Sequence, residues 1–133
     1  MKILFWNRGS TSSRIYRLLS EANYDLYVCN KMEHANEVIE REKIQLVFCR
    51  VIDQKDLEQI DLVPKMICLI AILDDKKLAD ECIKYGADDY IIDSDKLTKE
   101  ELLRVINKNQ IASGFRAIKE KIKMLEYVTT NGK

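Results

Sequence analysis

Side chains able to do chemistry are sparse in this chain and sit mostly where polar stretches interrupt apolar runs. Asn7-Arg8-Gly9-Ser10, continued by Thr11-Ser12-Ser13, sets a cation and a row of hydroxyls ahead of an amphipathic stretch, a combination that could hold an anion at a helix start. It carries a single glycine, not the Gly-rich run that wraps a phosphate in nucleotide-binding loops. Arg50 and Asp93 lie at the ends of two other apolar runs, with Asp53, Asp74 and Asp75 close behind runs of the same kind. Asp74 and Asp75 could touch a cation, although capping of a helix start is the reading their position favours. His34, the sole histidine, falls in a charged stretch and reads as a surface residue. Cys29, Cys49, Cys68 and Cys82 have no C-x-x-C spacing, and three of them sit inside apolar runs, so buried reduced thiols are expected instead of a redox or metal centre.

The residues that carry these groups belong to one globular domain. The 133 residues are 47% hydrophobic and 33% charged, with 22 Lys+Arg against 22 Asp+Glu. A chain of this length buries about two-thirds of the surface its unfolded form exposes, so it needs no disulfide or metal to fold. The balanced charge lacks the broad basic field of a nucleic-acid binder, and no direct nucleic-acid contact is expected. The apolar runs reach about seven residues against the ~20 of a membrane-crossing helix, so no membrane span is expected. The opening Met1–Trp6 reads as a strand and not as a signal peptide, which makes a cytoplasmic location the expectation.

Short β-rich runs alternate with amphipathic stretches. The runs Lys2–Trp6, Asp25–Cys29, Leu46–Val51, Met66–Ile72 and Asp89–Ile92 predict five strands, mostly apolar throughout as when helices cover both sheet faces. Helical spacing predicts a first helix on Ile15, Leu18, Leu19 and Ala22, capped within Ser10–Ser13, and a second on Met32, Ala35, Val38 and Ile39 with a poorly marked start. A short third helix covers Gln54–Leu62, and a fourth turns Leu78, Cys82 and Ile83 inward before Gly86 ends it. Thr98-Lys99-Glu100-Glu101 is a capping box that opens a fifth, with Leu102, Leu103 and Ile106 facing the core. The pattern predicts an α/β fold: a five-stranded parallel sheet with helices on both faces, (βα)5, and an extended C-terminal helix. Residues 1–110 form the domain. Residues 111–133 form a helix or linker with a disordered end, and Ile111, Phe115, Ile118, Ile122 and Leu125 repeat at heptad spacing. That seam packs back on the domain, or serves as a helical linker or dimer seam.

This order of elements, with Gly86-Ala87-Asp88-Asp89-Tyr90-Ile91 leading into the last strand, resembles the receiver domain of two-component response regulators over about residues 1–110. In that family an acidic pair after strand one holds Mg²⁺ and an Asp ending strand three accepts phosphate. A Ser/Thr ending strand four and a Lys ending strand five steady the phosphoryl oxygens, and an aromatic residue in strand five acts as a switch. The resemblance places Trp6-Asn7, followed by Arg8, at the acidic pair, Arg50 at the acceptor, Ala71 at the Ser/Thr and Asp93 at the Lys; Tyr90 keeps the aromatic position. Neither an indole nor a carboxamide supplies the anionic charge Mg²⁺ uses, and arginine cannot take phosphate as aspartate does. Asp53 lies three residues beyond the acceptor position with no metal-binding set around it.

The resemblance therefore implies a flavodoxin-like, doubly wound, five-stranded parallel sheet and a degenerate receiver, or pseudo-receiver, with the charge polarity of its pocket reversed. Arg50 and Asp93 are then able to meet as a fork and tie strands three and five together; two separately solvated charges are the alternative. The function implied is a phosphorylation-independent signalling and protein-interaction module of a bacterial two-component phosphorelay, not an enzyme and without a cofactor. Its partner would be another protein or its own output domain. A homodimer through the helix four/strand five/helix five face or the C-terminal helix is open. Met124–Asn131 also resembles the linker that precedes diguanylate cyclase domains, so the chain is expected to be the input domain of a larger regulator. The alternatives are a receiver phosphorylated at a non-standard residue, or a small anionic-ligand binder on a flavodoxin-like scaffold.

Overall fold

The computed structural model describes residues 1–6, 14–64 and 66–111. Five strands, β1 (Lys2–Trp6), β2 (Asp25–Cys29), β3 (Leu46–Arg50), β4 (Cys68–Leu73) and β5 (Asp89–Ile92), pair in parallel in the order β2-β1-β3-β4-β5. The helices are α1 (Arg14–Glu21), α2 (Met32–Glu42), α3 (Gln54–Ile60), α4 (Ala79–Tyr85, preceded by a 3-10 turn at Lys76–Leu78) and α5 (99–111). Parallel neighbours need crossover connections, and here the helices that make them divide between the two sheet faces.

The pleat explains why the central strands are apolar at every position. Ile3, Phe5, Leu46, Phe48, Ile70 and Ile72 point to one face and pack with Ile15 and Leu19 of α1 and Leu102 and Ile106 of α5. The alternate residues Leu4, Trp6, Val47, Cys49, Leu69, Ala71 and Leu73 meet Ala35 and Ile39 of α2, Leu57 and Ile60 of α3, and Ala79 and Cys82 of α4. A polar residue anywhere in β3 or β4 before its end would strand an unsolvated group in one of these layers.

Helix ends follow local chemistry. Asp53 accepts from the Asp56 amide at 3.1 Å while the Asp56 carboxylate receives the Asp53 amide, a reciprocal cap that starts α3. Thr98 Oγ1 accepts from the Glu101 amide at 3.1 Å at the start of α5. Gly86 closes α4 at φ 117°, a conformation a Cβ would disfavour. The α2 start bears no side-chain cap, in keeping with its weak marking in the sequence.

Three expectations need correction. Strand four runs from Cys68 to Leu73 and not from Met66 to Ile72, because the Ile67 amide turns back to Pro64 O and Leu73 still pairs with Ile92. Strand three stops at Arg50, one residue short of Val51. Ile83 is 45% exposed, and the α4 side chains that face inward are Ala79 and Cys82. The expected caps at Ser10–Ser13 lie outside the described residues, as do the C-terminal residues after 111. Ile111, the first residue of the expected heptad seam, is still helical and is exposed.

Candidate functional site at the carboxyl edge of the sheet

In this strand order the chain direction of winding reverses between β1 and β3, and a crevice opens at the carboxyl ends of the strands. Arg50, the last residue of β3, occupies that edge. Its Nη1 donates to Asp74 Oδ1 at 3.0 Å, and its Nη2 donates to Asp93 Oδ2 in a close charge-assisted hydrogen bond. Asp74 directly follows β4 and Asp93 directly follows β5, so one guanidinium joins the ends of three adjacent strands. The burial of the two arms differs: the side chains of Arg50 and Asp93 are each 15% exposed, whereas that of Asp74 is 68% exposed. Beside this triad lies a cavity of about 270 Å³ walled by Val51, Ile52, Leu73 and Leu78, with Asp74, Asp75 and Lys77 at its rim.

Known structures with this architecture share its connectivity. A two-component response regulator with a GGDEF domain superposes with a TM-score of 0.70 at 19% identity, over 86% of this chain and 50% of that one. NtrX from Brucella abortus, solved in complex with ADP, gives 0.73 at 19% identity over 98% of this chain and 30% of its own. A response regulator from Thermotoga maritima gives 0.66 at 21% identity over 81% of this chain and 95% of its own. The chain has the receiver fold. It spans half or less of the first two of these structures and nearly the whole of the third. No family model matches the sequence, and no curated protein matches it either.

On the receiver fold, the sequence-derived site residues fall into three groups. Arg50 and Asp93 come together at the carboxyl edge. Trp6 ends β1 and is buried with Leu4, Cys49 and Ala71; Asn7 and Arg8 lie outside the described residues. Because β4 continues to Leu73, Ala71 is fully buried two residues inside the strand, between Cys49 and Tyr90 on the face away from α1 and α5. The side chain reaching Arg50 from the end of β4 is Asp74. Sequence reasoning favoured a cap for it, and its neighbour Asp75 does cap, accepting from the Lys77 amide at 2.8 Å. The partner of Asp74 is 24 residues away in sequence and is brought to it only by the β3–β4 pairing.

The remaining groups have settled roles. Tyr90 is half-buried and packs against the layer formed by α2, α3 and α4. Asp53, three residues beyond the acceptor position, is engaged in the α3 cap. All four cysteines are buried and none is in a disulfide; desolvation pushes Cys82 up to about 11 and raises Cys29 and Cys49 as well. His34 is exposed.

A divalent cation, which the receiver fold uses when it takes phosphate, does not fit the described carboxylates. Asp74 and Asp93 both face a guanidinium whose permanent charge repels a second cation. Among the described residues no group of three or more His, Cys, Asp or Glu is placed to hold a metal. Nor, among those residues, is any helix long and apolar enough to cross a membrane.

Proposed function

We propose that this chain is a receiver-fold signalling module of a bacterial two-component system whose conformation is set without phosphorylation. The observation that supports this reading is the Arg50 junction. A cation stands at the end of β3, where the receiver chemistry puts its acceptor carboxylate, and a carboxylate, Asp93, stands at the end of β5, where that chemistry puts a lysine. A phosphoryl group would have to attach at a carboxylate on this edge, yet both carboxylates that reach Arg50 neutralise it instead. In this reading Trp6, Asn7, Arg8, Arg50, Ala71 and Asp93 descend from a phosphate pocket that no longer takes phosphate. The module then works by binding a protein partner or its own output domain, not by catalysis. The GGDEF-linked regulator and NtrX extend well beyond the part this chain matches, and an input role within a longer regulator is the form of this reading that they suggest.

Trp6 is the single tryptophan and lies buried at the end of β1, next to the edge where phosphorylation would act. Its emission should stay unchanged when the protein is incubated with an acyl phosphate donor and Mg²⁺. A saturable change that requires both reagents would contradict the reading.

A further inference from the structure

Strand β5 has only four residues, and side chains fasten it at both ends. At its carboxyl end Asp93 is held by Arg50. At its amino end Asp88 and Leu69 exchange two bonds, Asp88 N to Leu69 O at 2.8 Å and Leu69 N to Asp88 Oδ2 at 2.9 Å. The next residue reaches a different element. Asp89 Oδ1 accepts from the Tyr90 amide at 2.8 Å, and Oδ2 accepts from Asn109 Nδ2 of α5 at 3.0 Å, with Lys108 Nζ at 3.6 Å.

Asn109 is the unusual member. It is 5% exposed in the last described turn of α5, on a helix whose other buried side chains, Leu102 and Ile106, are apolar. Its amide nitrogen donates both to Asp89 and, at 2.8 Å, to Val105 O one turn back in its own helix. A buried carboxamide contributes little to a core that an apolar residue could fill, and it gains from burial only where both donors find fixed acceptors. The contact thus specifies one rotation of α5 about its axis, since a turn of the helix would leave the amide unsatisfied. Lys108, 73% exposed at its side chain, adds only a solvated charge to the same carboxylate.

We infer that Asn109 is a positioning residue: by clasping Asp89 it fixes the direction in which the chain leaves α5 and couples that direction to β5. The inference deepens the proposed function by naming the route from the Arg50 junction to whatever follows the domain: Arg50, Asp93, β5, Asp89, Asn109. Tyr90, adjacent to Asp89, rides on the same fastened strand.

The test is a nitroxide attached at Ile111→Cys, which is exposed two residues past the clasp, with a second label at Ile83→Cys on α4 as reference. The native thiols are all buried, so the introduced cysteine labels selectively near neutral pH. Asn109→Ala removes the amide while raising helix propensity, so any loosening cannot be assigned to a poorer helix. Asn109→Asp sets two carboxylates against each other. Asp89→Asn keeps one acceptor oxygen, which can still serve Asn109, and gives up the charge and the bond from the Tyr90 amide. Nitroxide mobility at position 111 should rise in Asn109→Ala and more in Asn109→Asp, remain near the parent value in Asp89→Asn, and stay constant at position 83 in all three. Amide exchange in 106–111 should accelerate by about tenfold in Asn109→Ala, the scale of one lost hydrogen bond. Equal mobility in every background, or equal loosening at both labels, would overturn the inference. Should Asn109→Asp fail to fold, the Asn109→Ala and Asp89→Asn pair decides alone. No phosphodonor is present, so these outcomes are independent of whether the protein takes phosphate.

Discussion

Truncating Arg50 should cost far more stability than truncating Asp74, because the two arms of the junction differ in burial. Arg50→Ala leaves Asp93, largely withdrawn from solvent, without its cation and beside a like charge; a loss of about 2–3 kcal/mol is expected for such a half-removed pair. Asp74→Ala removes an arm that water already solvates and should cost less than ~1 kcal/mol. Urea unfolding of the two variants measures both, and equal losses would mean that the buried arm is no stronger than the exposed one. The thiols give a second residue-scale prediction. Burial raises the folded-state values of Cys29, Cys49 and Cys82, the last to about 11, while an unfolded thiol ionises near ~8.5. The unfolded chain therefore releases protons first, and stability present in full below about pH 8.5 should decline between there and about pH 11. The urea midpoint should fall from pH 8 to pH 10 by less in Cys82→Ala than in the parent, and an identical fall would remove Cys82 as a contributor.

Among the elements, α3 depends most on its start. It has seven residues, and Asp53 and Asp56 satisfy donors at its amino end. Asp53→Ala should destabilise by about 1 kcal/mol as an exposed cap does. Asp56→Ala should cost about 2 kcal/mol because its carboxylate is buried and receives the Ile52 amide at 2.8 Å. Thermal unfolding ranks the two, and the reverse order would show that the buried carboxylate is not the main support. Sequence patterning located β1, β2 and β5 to the residue, each a short β-rich run opening on a charged residue, Lys2, Asp25 or Asp89. It misplaced β4, since Met66 and Ile67 are apolar yet belong to a turn, with Met66 60% exposed. It missed the α3 cap because Asp, and not Glu or Gln, stands at the third helical position. The side chain that meets Arg50 from beyond β4 is Asp74, whose place in the junction the cap reading of the sequence did not anticipate. Arg50 and Asp93 were legible because each ends a strand, whereas the three-way junction depends on strand order, which no local pattern encodes.

At the scale of the whole molecule, the receiver fold is retained while the charge pattern at its carboxyl edge is one that holds itself together. β3, β4 and β5 meet at one guanidinium, and the four-residue β5 is fastened again at its base to β4 and α5. A switch requires two arrangements of similar free energy that an added group can bias; the described contacts favour one arrangement and supply their own counter-charges. The measurement that bears most directly on this account is intact mass of the 133-residue chain after incubation with an acyl phosphate donor and Mg²⁺, with the same reaction on Arg50→Asp alongside. The parent protein should show no phosphate adduct at any donor concentration, and restoring the carboxylate alone should not produce a stable one while Asp93 faces it. A stoichiometric adduct on the parent chain, on any residue, would contradict the account.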